Sequence, residues 1–404
     1  LIRKSFEMRN VSYRQTVRLH SRKTLQTIKN NIMTKKSFYL FPILALILLI
    51  TSCGKHNLNK EINQYDVKLD SLRKQYNIPS VSVAILHNQK IIFSKGYGYA
   101  DIENKIPATD STPYRIASMT KPIASTVILK LVEEEKLNLD GKIKDYWTDY
   151  YEHFDNTKKY FEDNLPFLLG FVADYNYRQY DITLRQHLNH ICEGIPGEKF
   201  HYNGLLYGRL SNVVDKVSDR SFETLVKEDI IQKLGMNNSL PKQSDTSRPE
   251  VLKRLAKPYF LNDKNELVLS EYVEPNEPLG AGAGIISSVT DLAKFDIALD
   301  KNQLITQESK DIAFTKGKLN NGEETQYGLG WFIGEYKNHK VVYHTGWEWK
   351  SFSGLYLKVP DKNMTLILLA NSEDFYLPFM EQVSSGDIEG SPYAKEFLDL
   401  FIKE

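Results

Sequence analysis

The chain has 404 residues, and its 52 Lys/Arg and 51 Asp/Glu nearly cancel to a formal net charge of +1. The balance is uneven: residues 1–52 hold ten basic residues and one acidic, so the remainder carries 42 basic and 50 acidic residues, a net of −8. An acidic body argues against nucleic acid as a partner. The only two cysteines, Cys53 and Cys192, exclude a disulfide framework and a cysteine-rich zinc site.

Residues 1–32 are basic and lack helical periodicity; they read as a mis-called start upstream of the protein proper and outside its fold. From Met33, a basic start at Lys35 and Lys36 precedes the apolar run Phe38–Ile50, too short to span a bilayer comfortably. Ile50-Thr51-Ser52-Cys53 resembles the cleavage box of a bacterial lipoprotein, and the resemblance implies a signal peptide over 33–52 with lipid attached to Cys53. Several acyl chains on one residue anchor a protein stably. The expected location is then the bacterial cell envelope, periplasmic or outer-surface, with membrane contact through that anchor. The competing reading is a buried helix that ends in cysteine. Residues 53–60 read as a tether and 61–404 as one domain, with a helical insertion over about 111–270.

Asn57–Tyr76 has apolar residues at helical spacing. Two strand-like runs follow, Ser80–Leu86 and Ile91–Gly96, around a turn at His87-Asn88-Gln89. Helical patterns occupy Ser118–Glu135, Ile182–Ile191 and Leu205–Leu234, and Val289–Asp300 is amphipathic behind a Thr290 or Asp291 cap. Between them, Tyr146–Tyr180 is dense in aromatics and reads as core or a structured flap, or as a ligand-facing wall. Four strand-like runs close the chain, "YGLGWFIGEY", "HKVVYHTG", "FSGLYLKVP" and "MTLILLAN", before a last helix over Tyr393–Ile402. Their short turns imply antiparallel pairing. The expected fold is therefore α+β, with an antiparallel sheet built from both chain ends around a helical middle.

The chemistry centres on "RIASMTKPIA", Arg115–Ala124. Ser-x-x-Lys also occurs at Ser52/Lys55, Ser71/Lys74 and Ser239/Lys242, so the spacing alone decides nothing. Residues three apart on a helix share a face, which brings Lys121 within reach of the Ser118 hydroxyl. Pro122 is tolerated only in a first turn, so the helix must begin near Ser118. That places the hydroxyl beside free backbone N–H groups at the positive end of the helix, where an anion is favoured. A desolvated lysine can remove the serine proton. None of the other three pairs offers this setting.

"RIASMTK", with "GYGYADIENKIPATDSTPY" before it and "EEEKLNLDGKI" after, resembles the serine β-lactamase-related family, as do "ITLRQHLNHICEGIPG", "KLGMNNS", "GAGAGIISSVTDLAKF" and "YGLGW". The family includes class C β-lactamases, D-alanyl-D-alanine carboxypeptidases, D-aminopeptidases and related esterases. The resemblance runs from about Leu69 to Asn371 and implies a β-lactamase/transpeptidase-like fold. The family's Tyr-x-Asn motif is best matched by "FHYNGLLYGRLSNVVDKV", which makes Tyr202 the proton shuttle and puts Gly204 where the family has asparagine. The literal match Tyr336-Lys-Asn338 falls in a tight turn and is rejected. The third motif, Lys-Thr-Gly or His-x-Gly, is matched by His344-Thr345-Gly346, and carry-over makes the Trp347 N–H the second oxyanion donor beside that of Ser118.

The resemblance implies a serine hydrolase that forms an acyl-enzyme. Loss of the amide at Gly204, and a histidine in place of a cationic lysine at position 344, point to an ester or a small amide or peptide as substrate. β-Lactamase or D-alanyl-D-alanine carboxypeptidase activity is the alternative. A catalytically silent protein that binds cell-wall fragments is a rival of another class. His187, His190, Cys192 and Glu193 cluster as zinc ligands sometimes do, but no further distant ligand accompanies them. Neither metal nor other cofactor is expected.

Overall fold

The structure is a computed structural model that describes residues 58–164, 181–271 and 280–403. The chain divides into a short unit, 1–64, and a compact one, 65–404. Of the first, residues 58–64 are described, as helix. The expected leader, signal peptide and Cys53 lie outside the described residues, as does the 165–180 part of the aromatic-rich stretch. Among the described residues no helix is long and apolar enough to cross a membrane.

Near the N-terminus, β1 (Ser80–His87), β2 (Lys90–Asp101) and β3 (Ile106–Pro107) form an antiparallel meander. The short β4 (Tyr114–Arg115) pairs far along the chain with β7 (Ile286–Ser287), and β5 (Tyr259–Leu261) forms a hairpin with β6 (Leu267–Leu269). A second meander follows, β8 (Phe332–Tyr336), β9 (His339–Trp347), β10 (Ser353–Val359) and β11 (Met364–Ala370). β1 pairs antiparallel with β11, from Val81 opposite Ala370 to His87 opposite Met364. That seam joins both ends of the chain into one seven-stranded sheet, β3-β2-β1-β11-β10-β9-β8. The structure thus has the expected α+β architecture, with a largely helical middle between the two sets of strands.

The central strands are apolar along nearly their whole length because both faces of the sheet are covered. Alternate side chains separate into two cores. Ala84, Leu86, Tyr356, Ile367 and Leu369 face the helical middle, where they join Ile123, Val127 and Leu292. Val83, Ile85, Leu355, Leu366 and Leu368 face Tyr65 and Leu69 near the start of the unit and Tyr393, Phe397 and Leu398 of the closing helix. The Ser118 segment therefore sits where the helical middle meets the sheet.

Two expectations are corrected. The run Leu205–Leu234 is not one helix but several pieces, Gly204–Gly208, Leu210–Val217, Phe222–Leu225 and a π-helical turn Val226–Gln232. Ser221 caps a fresh start there by accepting from the Thr224 N–H. Residues 327–331 do not extend β8: the Gly328 N–H donates to the Trp331 carbonyl, and the Leu329 N–H to that of Ala313. Those backbone groups are used in a turn and are not available to a ladder. Of the aromatic stretch, Trp147 and Tyr150 are buried in the core, whereas Tyr160 is exposed.

Candidate active site

From Thr112 to Leu129 every residue is buried except Ser118, which is partly exposed. It lies in a 3₁₀ turn, Ala117–Met119, that leads into the helix Thr120–Glu133. Pro122 stands in the first turn of that helix, where its missing N–H leaves no bond unmade. Ala117, just before the serine, has φ +45°, a left-handed conformation that a non-glycine residue adopts only under constraint from its surroundings.

Lys121 is fully buried, and its Nζ donates to Ser118 Oγ at 2.9 Å and to the Gly282 carbonyl at 2.8 Å. The ammonium lies 5.0 Å from the centre of the Tyr202 ring and 5.5 Å from that of Tyr207. No carboxylate hydrogen-bonds or ion-pairs with it among the described residues. Desolvation alone therefore pulls its pKa from 10.5 down to about 7. The Tyr202 hydroxyl is raised above the ordinary phenol range by burial, against which the neighbouring Ser118 hydroxyl acts. Ser118, Lys121 and Tyr202 thus form one contiguous group.

The turn carrying Tyr202 is built by its neighbours. Asn203 caps the helix Gly204–Gly208 by accepting from the Leu206 N–H at 3.0 Å, and its own Nδ2 donates to Glu193 Oε1. The Asn203 amide is therefore turned away from the lysine. A Cβ at Gly204 would lie 3.6 Å from Lys121 Nζ, so position 204 is the one whose side chain would face the lysine. Its place as lysine partner is taken by the backbone of Gly282. That backbone comes so close that a Cβ on Gly282 would sit 2.4 Å from the Gly204 carbonyl oxygen. Only a glycine at 282 permits this approach. Gly282 was not singled out from sequence, although the run "GAGAG" is a signal for it.

His344 is fully buried, at 0 % exposure. Its Nδ1 donates to the Thr345 carbonyl at 2.7 Å, and its Nε2 accepts from the Tyr327 hydroxyl at 2.8 Å. Burial first, then the nearby Lys121 charge, push it well below the ordinary histidine range, so the ring is neutral. Both nitrogens are used inside the protein, and the ring braces Tyr327. Thr345 is also buried. Gly346 lets β9 run against the nucleophile turn, since a Cβ there would lie 2.4 Å from the Ile116 carbonyl oxygen. Trp347 follows at the end of β9, and its indole N–H donates to Glu373 at 3.2 Å.

His190 packs its ring 4.5 Å from Tyr202 and 4.8 Å from Tyr327, and accepts the Asn203 N–H on Nδ1. Together with Tyr207 and Tyr327 it forms the aromatic lining behind Tyr202 that sequence reasoning missed. The histidine cluster is split among other partners: His187 Nε2 meets the Tyr150 hydroxyl at 3.0 Å, and Cys192 is buried. The other serine–lysine pairs within the described residues are engaged elsewhere, Lys74 with Asp70, Ser239 with Asp291 and Lys242 with Glu223. Tyr336 closes β8, and its hydroxyl donates to Asp399.

A sheet closed from both chain ends, with a helical insert and a Ser-x-x-Lys turn facing a tyrosine, defines the class of β-lactamase/transpeptidase folds. Comparison with known proteins makes this specific: residues 66–379 match the family described as Beta-lactamase, and the chain belongs to that family. It is 27 % identical over 336 residues to Protein flp of Staphylococcus aureus, covering 79 % of this chain and 65 % of that protein. With Penicillin-binding protein 4* of Bacillus subtilis it shares 28 % identity over 302 residues, 70 % of this chain and 66 % of the relative. The chain thus spans about two thirds of the length of these relatives. Among solved structures, the octameric penicillin-binding protein homologue from Pyrococcus abyssi superposes with a TM-score of 0.62 at 22 % identity, over 84 % of this chain and 80 % of that one. That likeness shows the fold.

Proposed function

We propose that the protein is a serine hydrolase that acts through an acyl-enzyme on an ester or a small amide or peptide. The observation that carries this reading is Lys121, fully buried, 2.9 Å from Ser118 Oγ and brought down to about 7. In its neutral form the amine accepts the serine proton as Oγ attacks the carbonyl carbon. The proton then reaches the leaving group through Tyr202, and water releases the acyl group by the same steps in reverse. The backbone N–H groups of Ser118 and Trp347 are the proposed oxyanion donors.

The substrate class rests on two features. Position 204 offers no amide beside the lysine, and the neutral, inward-turned His344 offers no cation to a substrate carboxylate. Both disfavour β-lactams and D-alanyl-D-alanine peptides relative to simple esters. Turnover of p-nitrophenyl esters, a chromogenic cephalosporin and a D-Ala-D-Ala peptide by the same preparation tests this. Ester turnover is expected to lead by at least about tenfold in kcat/KM, a margin that an unmatched polar contact readily produces. Gly204→Asn is expected to narrow that margin. Faster cephalosporin turnover by the wild type would overturn the preference. We also propose that Cys53 is lipidated in the cell envelope; a Cys53→Ser chain that still incorporates labelled fatty acid would contradict it.

A further inference from the structure

Three residues before Ser118 lies Arg115, and one residue after Trp347 lies Glu348. They are 233 residues apart in sequence, yet form a two-pronged ion pair: Arg115 Nε donates to Glu348 Oε2 at 2.8 Å and Nη2 donates to Oε1 at 2.5 Å. Both side chains are largely buried, at 6 % and 13 % exposure. The remaining guanidinium nitrogen, Nη1, donates to Gln243 Oε1 at 2.8 Å, and the guanidinium lies over the Phe352 ring at 5.2 Å.

Each partner is fixed from its own side. Arg115 belongs to β4, held by β7, and the next N–H, that of Ile116, donates to the Ile285 carbonyl at 3.0 Å. Glu348 opens a tight turn in which its N–H donates to the Phe352 carbonyl at 2.8 Å and its carbonyl accepts from Ser351. The pair therefore ties a rigid turn to a rigid strand, and the two backbone positions it brackets are those of Ser118 and Trp347.

We infer that Arg115 and Glu348 are positioning residues that set the distance between the two backbone donors of the oxyanion hole. The inference rests on the hydrolase reading. A parallel pair of charged hydrogen bonds fixes direction as well as distance, which a lysine in place of Arg115 cannot reproduce. Buried ion pairs add little net stability and are often replaceable by apolar residues of similar size. Position, not stability, is what this pair supplies. Neither residue handles protons in the reaction, so the pH dependence set by Lys121 is independent of it.

The test compares wild type with Arg115→Lys, Glu348→Gln and the double variant Arg115→Met/Glu348→Leu, using p-nitrophenyl ester turnover, an arylboronic acid inhibitor and thermal unfolding. All three variants are expected to lose roughly 10- to 100-fold in kcat, less than removal of an oxyanion donor outright. KM is expected to stay within about threefold. Boronate affinity should fall in parallel with kcat/KM, and the pH at half-maximal rate should not move. The double variant keeps wild-type thermal stability while staying slow, which separates spacing from folding. Wild-type kcat in a folded Glu348→Gln or double variant would overturn the inference, as would a loss explained wholly by unfolding. Failure of a fluorophosphonate to label Ser118 in the wild type would instead refute the hydrolase reading on which the inference stands.

Discussion

Lys121 can take the Ser118 proton only when neutral, and its burial brings that state within reach of neutral pH. The neutral fraction rises as pH rises through about 7, so kcat/KM is expected to climb with an apparent pKa near 7 and to level off above it. An exposed lysine would put the same rise near 10. A rate–pH profile without an inflection between about 6 and 8 would contradict the assigned base. The same residue shows how far sequence reading reaches. Ser118 and Lys121 were legible because Pro122 fixes the helix start and the spacing fixes the shared face. The desolvation was not legible, because Lys121 is buried among groups such as Tyr202 and Tyr207, which lie far along the chain. His344 illustrates the converse. Its motif gave its chain position, but the rotation of its ring is set by Tyr327, seventeen residues earlier.

At the level of elements, the site depends on how closely β9 passes the Ala117–Met119 turn. Gly346→Ala would push a methyl group to within 2.4 Å of the Ile116 carbonyl, a contact that only backbone movement can relieve. The variant is expected to fold with a lower unfolding midpoint and to lose about 100-fold or more in kcat, as when an oxyanion donor is withdrawn. Wild-type turnover in Gly346→Ala would show that the strand end is not part of the site. Strand positions were readable from alternating and continuous apolar runs, and β9 and β11 fall close to where the runs predict them. The segment 327–331 was misread because its glycines and apolar residues suit a strand, while its hydrogen bonds go to Ala313 and Ser125. The break-up of Leu205–Leu234 was equally hidden, since side-chain periodicity persists across helices that are short and re-capped.

For the whole molecule, the seam between β1 and β11 is what makes one sheet from two chain ends, and Asn371 stands at its end. Its fully buried amide accepts the Ser80 N–H at 2.8 Å and donates to the carbonyls of Lys257, at 2.9 Å, and Tyr99, at 3.3 Å. One side chain thereby joins the first strands, the middle and the last strand. Asn371→Ala would strand these groups in the interior, and a loss of about 2–4 kcal/mol in chemical denaturation is expected. A loss below about 1 kcal/mol would mean that the seam closes without it. With the sheet so closed, the site's three proposed reacting groups come from residues 118, 121 and 202, and its strand wall from residues 344–347. The central claim is that this assembly acylates Ser118, and intact-protein mass spectrometry after rapid acid quench with a p-nitrophenyl ester tests it most directly. The account predicts one acyl group per chain, located on Ser118 and lost in Ser118→Ala. An unmodified wild-type chain during ester turnover, or an adduct that persists in Ser118→Ala, would contradict it.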